Sequence, residues 1–212
     1  MPLFHLEKLE NGGFISIWKI TESEAELTAT YNWLENERED FETINLSSRR
    51  LEWLSLRMAL HAIFENAKLK ATSVYKTKFN KPKLLKRSYH ISFSHSHGYA
   101  AVILHKKYPV GIDIETHGER AFRIKRKFLN ENEMDAFGNS AENALIAWCL
   151  KETLYKIWGR KKLDFREHMH IKVVNDKDPM YFAGTVAKNK QQAAHRLEIR
   201  RYEDCIVAYN LD

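Results

Sequence analysis

Cysteine, proline and glycine are scarce in this chain of 212 residues, which contains two, four and eight of them respectively. Two cysteines without a paired spacing exclude a disulfide scaffold and a cysteine-rich zinc site, and they fit a reducing cytoplasm. The longest uninterrupted apolar run is seven residues, Ala144 to Leu150, whereas a helix needs roughly 20 to cross a bilayer. The sequence does not open with a basic region followed by an apolar core, so we expect a cytoplasmic protein without a secretory signal.

The composition is sufficient for a large hydrophobic core, and the net charge predicts an anionic partner. Hydrophobic residues make up 44% of the chain and aromatic residues 12%, which excludes wholesale disorder. Lysine and arginine number 34 against 28 acidic residues, giving a formal net charge of +6. This excess predicts that some partner is anionic. Nucleic acid, a phosphorylated small molecule, an acidic protein and a membrane surface would each satisfy it.

Hydrophobic periodicity predicts an α+β architecture in two halves that meet near Tyr108 and Pro109. In the first half, a capping box of Thr21 and Glu24 predicts the start of a helix. The other elements predicted there are a strand over 13–20, a helix over about 48–67, and strands near 91–94 and 99–104. The second half is predicted to contain a strand over 110–115, helices over about 121–137 and 142–158, and strands over 171–174, 181–186, 197–201 and 205–210.

Asp113 and Glu115 are separated by one residue in the predicted strand over 110–115. Residues two apart in a strand project to the same side, so the two carboxylates share one space, roughly 6–7 Å apart at the backbone. Mg²⁺ is held by one or two carboxylates together with water and substrate phosphates, so this pair suits a magnesium site. Two solvated acids on an exposed strand face are the commoner reason for such a pattern.

Glu152 and Lys156 lie one turn apart on the predicted helix over 142–158, on the side opposite its apolar stripe. Taken alone, they form an ordinary i,i+4 ion pair worth a few tenths of a kcal/mol. A functional interpretation requires this helix to lie beside the Asp113 strand. Glu152 would then supply a third carboxylate, and Lys156 a donor for phosphate oxygens.

The segment Ser92-Phe-Ser-His-Ser-His-Gly98 places hydroxyl groups and histidines between two predicted strands. These groups can hydrogen-bond a phosphate, or they can satisfy their own loop backbone. Histidines two residues apart occur here and again at His168 and His170, but without further spaced ligands they do not support zinc. No G-x-S-x-G elbow occurs, so a Ser–His–Asp hydrolase gains no support either.

Basic residues are grouped along the chain rather than scattered. The groups are Arg49, Arg50 and Arg57, then Lys76 to Arg87, Arg123 to Lys127, and Arg160 to Lys162. Each group is typical of a solvated protein surface. The more specific alternative is that the groups bind nucleic acid. However, the sequence has no zinc finger, RNP-like strand, Walker loop or G-x-G-x-x-G motif. The residues alone therefore indicate acids for a metal, bases for phosphates, and a cytoplasmic enzyme.

Taken in order, these segments resemble the 4′-phosphopantetheinyl transferase superfamily, in its long, two-lobed, surfactin-synthetase-activating type. Gly111-Ile-Asp-Ile-Glu115 matches the family's G-[IV]-D-[IV]-E, and Trp148-Cys-Leu-Lys-Glu-Thr-Leu-Tyr-Lys156 matches W-x-x-K-E-[AS]-x-x-K apart from Thr153. Upstream, Asn80-Lys-Pro82 resembles G-K-P, Phe93-Ser-His-Ser96 resembles [LIF]-S-H-S, and Arg49-x-x-Glu-x-Leu-x-x-Arg57 resembles R-x-x-E-x-L-x-x-R. One departure concerns the shape of a loop, because Arg160-Lys-Lys162 stands where family members often carry glycines.

The resemblance implies two similar, pseudo-symmetric α+β lobes, residues 1–108 and 109–212. Each would have an antiparallel sheet packed on a long helix, with the active site in the cleft between the lobes. It also implies transfer of the 4′-phosphopantetheine group from coenzyme A to a serine of an apo acyl or peptidyl carrier protein, with release of adenosine 3′,5′-bisphosphate. The enzyme would need Mg²⁺ and act as a monomer, with neither nucleic acid nor a membrane as partner.

The resemblance also assigns roles by position. Asp113, Glu115 and Glu152 would hold Mg²⁺ on the pyrophosphate. Glu152, Lys156 and Asp113 would be catalytic, with Glu152 as the base, directly or through water, and Lys156 neutralising charge on the transferred phosphorus centre. This agrees with the general needs of phosphoryl transfer, which are positioning and charge neutralisation. The residues implied to bind coenzyme A are Arg49, Arg57, Lys81, Ser94, His95, Asp113 and Lys156.

Two other functions stay open at this point. One is a non-enzymatic nucleic-acid-binding module that uses the basic groups, which steep salt-dependent binding to random DNA or RNA would indicate. The other is a degenerate transferase that binds coenzyme A or a carrier without catalysis. The intact carboxylates and Lys156 argue against the degenerate transferase.

Overall fold

The computed structural model describes residues 2–159, 163–177, 179–202 and 204–212. The chain divides into two compact units, one ending at Pro109 and one beginning at Val110. Both contain helices and antiparallel sheets, as the sequence predicts. The similarity of the two lobes stays a prediction. Within the described ranges, no helix is both long and apolar enough to span a membrane.

A four-stranded antiparallel sheet forms the centre of the amino-terminal unit. Its strands lie in the order β1 (Leu3–Lys8), β2 (Phe14–Lys19), β6 (Tyr99–His105) and β5 (His90–Ser96). Helix α3 (Ser47–Asn66) packs on this sheet through buried residues that include Leu54 and Ile63. β6 is buried along its whole length because it is an inner strand of the sheet under this helix.

The shorter elements of this unit depart from the sequence prediction. Helix α1 (Glu24–Thr30) begins at a capping box of Ser23 and Glu26, two residues beyond the predicted pair of Thr21 and Glu24. Both pairs fit the same sequence pattern, and only the second forms the reciprocal hydrogen bonds. Helix α2 (Glu37–Glu42) and strand β1 were not predicted. A hairpin that was not predicted, β3 (Val74–Lys76) and β4 (Pro82–Leu84), includes part of the basic group from Lys76 to Arg87.

A five-stranded antiparallel sheet forms the carboxy-terminal unit. Its order is β7 (Ile112–Thr116), β11 (Cys205–Asn210), β10 (Gln191–Arg201), β9 (Met180–Lys188) and β8 (Met169–Asn175). Helix α6 (Ala141–Trp158) packs on it, and its predicted apolar stripe of Ala147, Leu150, Leu154 and Ile157 is buried. The helix begins at Ser140, which caps the backbone N–H of Asn143, and ends at Gly159 in the left-handed conformation with φ 64°.

The helix predicted over 121–137 is broken into three pieces. They are α4 (Arg120–Ile124), a 3₁₀ turn (Lys125–Lys127) and α5 (Glu131–Phe137). The break occurs because Asn130 has extended backbone and caps a new helix through a capping box with Glu133. Hydrophobic periodicity continues across this break, so it did not reveal the second helix start.

Candidate active site

Strand β7 carries Asp113 and Glu115 as alternate residues at one edge of the carboxy-terminal sheet. Asp113 lies opposite Ala208 of β11, and Glu115 lies opposite Ile206. Asp113 is only 4% exposed, whereas Glu115 is half-buried. A nearly buried carboxylate needs compensation by charge or hydrogen bonds, so Asp113 is not one of the freely solvated acids that the sequence left possible.

Gly111 allows α6 to approach β7 closely. A Cβ atom at this position would lie 2.3 Å from the Thr153 carbonyl oxygen and 2.8 Å from a side-chain carbon of Ile157. The Gly111 N–H donates to Asn210 Oδ1 at 2.9 Å. Any other residue would push the helix away from the strand, which gives the glycine of the Gly111–Glu115 motif a physical role.

This close approach brings Lys156 of α6 onto Asp113. The Lys156 amine donates to Asp113 Oδ1 at 2.7 Å and to the Ile112 carbonyl at 2.9 Å. Its side chain remains 23% exposed, so the ammonium can also meet a ligand from solvent. The helix therefore lies beside the strand, which was the condition for a functional interpretation of the pair Glu152 and Lys156.

Glu152 is placed near the same acids. Burial raises the pKa of its carboxyl to about 7, and repulsion from Asp113 and, more weakly, Glu115 acts in the same direction. Lys156 opposes this rise. Three carboxylates and one ammonium thus share one region, and their charges sum to −2 when all are ionised. Such a region favours an added cation.

The side chains are not arranged as a finished metal site. Among the described residues, no group of three or more His, Cys, Asp or Glu side chains lies close enough together to hold a metal ion. The oxygen donors are nevertheless of the hard type that Mg²⁺ prefers. The magnesium assignment to Asp113, Glu115 and Glu152 therefore stays a prediction.

Two neighbours on α6 contact the acids without having been singled out from the sequence. The Trp148 indole N–H donates to Glu115 Oε1 at 3.3 Å. Cys149 is fully buried, and burial together with Asp113 and Glu115 raises the pKa of its thiol well above the ordinary value. The match of Trp148 to the family motif was the one sequence signal available, and it did not indicate a partner.

In the amino-terminal unit, Arg49 and His95 are linked through Glu52. Arg49 Nη1 lies 2.8 Å from one Glu52 carboxylate oxygen, and His95 Nδ1 lies 3.5 Å from the other. Arg49 is exposed and can reach an anion. The structure therefore joins two of the residues predicted to bind coenzyme A, through a glutamate that the motif contains but that received no role.

The other predicted coenzyme A residues of this unit differ in environment. Arg57 is buried, with Nε 3.5 Å from a Glu37 carboxylate oxygen and its guanidinium over the Trp53 ring at 4.1 Å. Lys81 is half-buried, and burial and neighbouring Lys83 lower its pKa to about 8. Ser94 is buried on β5. Arg57 thus lies in the unit's interior, and Arg49, Lys81 and His95 remain accessible to solvent.

Comparison with known families finds a match in the carboxy-terminal unit. The loop that departs from the family pattern, Arg160 to Lys162, lies outside the described residues. A search of curated proteins finds none that matches the chain. The family model of the 4′-phosphopantetheinyl transferase superfamily matches residues 109–209, which include β7, α6 and all four charged residues described above. The comparison therefore identifies a 4′-phosphopantetheinyl transferase superfamily domain over residues 109–209 of this chain.

Proposed function

We propose that this protein transfers 4′-phosphopantetheine from coenzyme A to a serine of an apo acyl or peptidyl carrier protein. The observation that carries the proposal is the gathering of Asp113, Glu152 and Lys156 by β7 and α6 inside the region that matches the family. Phosphoryl transfer needs charge neutralisation around a pyrophosphate and a group that accepts the nucleophile's proton. This cluster offers both.

Glu152 is the proposed base. In the metal-free protein its carboxyl has a pKa of about 7, near the pH at which a general base is most effective, and a bound cation would lower this pKa. The serine proton passes to Glu152, directly or through water, and the serine oxygen bonds to the phosphorus that carries pantetheine. The bond from that phosphorus to the bridging oxygen breaks, and adenosine 3′,5′-bisphosphate leaves with that oxygen and the bonding electron pair.

Asp113, Glu115 and Glu152 are the proposed magnesium ligands. The mutual repulsion that contributes to the raised pKa of Glu152 indicates that Lys156 alone does not balance the acids. A bound magnesium ion would supply positive charge to the pyrophosphate. Lys156, already oriented by Asp113 and the Ile112 carbonyl, would neutralise charge on the phosphoryl oxygens.

Coenzyme A would be held by Arg49, Arg57, Lys81, Ser94 and His95 together with Asp113 and Lys156. For Arg57 the buried ion pair with Glu37 indicates an indirect role, through the packing of Trp53 and Phe93. The net charge of +6 fits an acidic carrier protein as the second substrate, because opposite charge accelerates encounter. We propose that the enzyme acts as a monomer.

The test combines the protein with coenzyme A, Mg²⁺ and a panel of apo carrier proteins, and follows each carrier by intact mass. We expect a phosphopantetheine adduct on at least one carrier. Asp113→Asn and Glu152→Gln should each reduce the rate at least about 100-fold with the fold retained. Glu142→Gln is the matched control, since Glu142 lies exposed at the start of the same helix. No adduct with any carrier, or full activity in both site variants, would contradict the proposal.

A further inference from the structure

The Trp148 indole lies between two aromatic rings that leave its N–H pointed at a proposed magnesium ligand. The Phe128 ring meets it edge-on at 5.2 Å, and the Phe165 ring stacks on it at 5.6 Å with an interplanar angle of 29°. The N–H donates to Glu115 Oε1 at 3.3 Å. These two ring contacts and the hydrogen bond restrict rotation of the indole about its side-chain bonds.

Lys151, one turn along α6 from Trp148, ties down the backbone of both flanking residues. Its amine donates to the Phe128 carbonyl at 2.6 Å and to the Phe165 carbonyl at 2.9 Å. Glu133 completes its surroundings at 2.5 Å. The lysine is 0% exposed, so these bonds are shielded from water and hold three segments of the chain together.

Glu133 in turn fixes the segments around it. One of its oxygens accepts the backbone N–H of Ile171 on β8 at 2.9 Å, and the other caps α5 through the N–H of Asn130 at 3.0 Å. The buried ion pair of Lys151 and Glu133 therefore connects α5, α6, β8 and the turn that contains Phe165. None of these contacts involves Asp113, Glu115 or Glu152. The ion pair is linked to Glu115 only indirectly, through Phe128 and Phe165, whose rings contact Trp148.

We propose that Trp148 is a positioning residue that orients Glu115 for the metal, and that the Phe165 turn, locked by Lys151, sets the orientation of its indole. The inference rests on the proposed function, because it assigns Glu115 to the metal. A carboxylate that accepts a fixed N–H has fewer rotamers to lose when a cation binds. Partners of this kind, one shell away from a metal, typically change metal affinity about 10–100-fold when they are removed.

The experiment measures Mn²⁺ binding to the isolated protein by electron paramagnetic resonance, with no coenzyme A or carrier present. Trp148→Phe keeps a ring between Phe128 and Phe165 and removes the N–H, and it should weaken Mn²⁺ binding about 10-fold. Tyr155→Phe is the matched control. Tyr155 also packs on Phe165, at 5.6 Å, but its hydroxyl makes no hydrogen bond within the described structure, so Mn²⁺ affinity should stay within about twofold.

Phe165→Leu tests the second half of the proposal. It leaves the indole N–H in place but removes the ring that stacks on it, and it should weaken Mn²⁺ binding by less than the roughly 10-fold expected of Trp148→Phe. If Phe165 acts through Trp148, then the double variant that combines Trp148→Phe with Phe165→Leu should bind Mn²⁺ no more weakly than Trp148→Phe alone. Enzyme activity gives a further readout for the two single variants. The Mg²⁺ concentration that gives the half-maximal rate should rise, and kcat at saturating Mg²⁺ should stay within about threefold of wild type.

Each outcome decides a separate point. Unchanged Mn²⁺ affinity in Trp148→Phe, or equal losses in Trp148→Phe and Tyr155→Phe, would overturn the positioning role while leaving the transferase proposal intact. Additive losses in the double variant would show that Phe165 acts independently of Trp148. Absence of Mn²⁺ binding by the wild-type protein would overturn both the metal assignment and this inference.

Discussion

Replacing Glu152 by glutamine should stabilise the protein at alkaline pH while destroying its proposed activity. The pKa of Glu152 rises from 4.5 to about 7, mainly because of burial and then because of Asp113. The surroundings of Glu152 therefore destabilise the ionised form of its carboxyl relative to the protonated form. Glutamine has nearly the same shape and carries no charge, so it removes the penalty and the base together.

The sign and size follow from proton linkage. Between pH 4.5 and 7 the folded protein keeps a proton on Glu152 that the unfolded chain has lost, so stability falls as pH rises through this window. A shift of about 2.5 pKa units corresponds to at most about 3 kcal/mol, at 1.36 kcal/mol per unit. Residual exposure and side-chain relaxation reduce this value. We therefore expect Glu152→Gln to be about 1–3 kcal/mol more stable than wild type at pH 8, and close to wild type at pH 5.

Urea unfolding followed by circular dichroism, in low salt with a chelator at pH 5, 6, 7 and 8, measures the difference directly. Added Mg²⁺ should stabilise wild type at pH 8 more than the variant. Glu142→Gln serves as the control: the Glu142 carboxylate pairs with Arg201 at 2.8 Å on the surface, and its loss should cost under about 1 kcal/mol at every pH. A Glu152→Gln protein that is less stable than wild type at pH 8, or a difference independent of pH, would refute the reasoning.

Three further substitutions test the packing around the site, each by urea unfolding. Gly111→Ala should cost about 1–3 kcal/mol or more, because the new Cβ would meet the Thr153 carbonyl at 2.3 Å. Lys151→Met should cost about 3–5 kcal/mol by leaving Glu133 buried without its cation, and adding Glu133→Gln to it should recover part of that loss. Arg57→Lys should cost about 1–3 kcal/mol, since an ammonium cannot replace a guanidinium that both pairs with a carboxylate and covers an indole.

The parts of the site that the sequence predicted are those governed by local periodicity. Alternation along a strand predicted that Asp113 and Glu115 share a side, and helical spacing predicted that Glu152 and Lys156 share a face. The order of the five strands was not predictable, because antiparallel pairing of β7 with β11 joins residues about 90 positions apart. The sequence did not show whether α6 lies beside β7. The structure shows that it does, and Gly111 allows this close approach because it has no side chain.

The residues that support the site escaped prediction for a different physical reason. Lys151 looks like any charged residue beside Glu152, yet it points into the core, and two of its three partners are backbone carbonyls, of Phe128 and Phe165. A carbonyl exists at every position, so its use as an acceptor leaves no trace in residue type. Lys151 and Lys156 are five residues apart on one helix, hence about 140° apart around its axis. This angle sends one ammonium to the core and the other to Asp113, and only the second is accessible to a substrate.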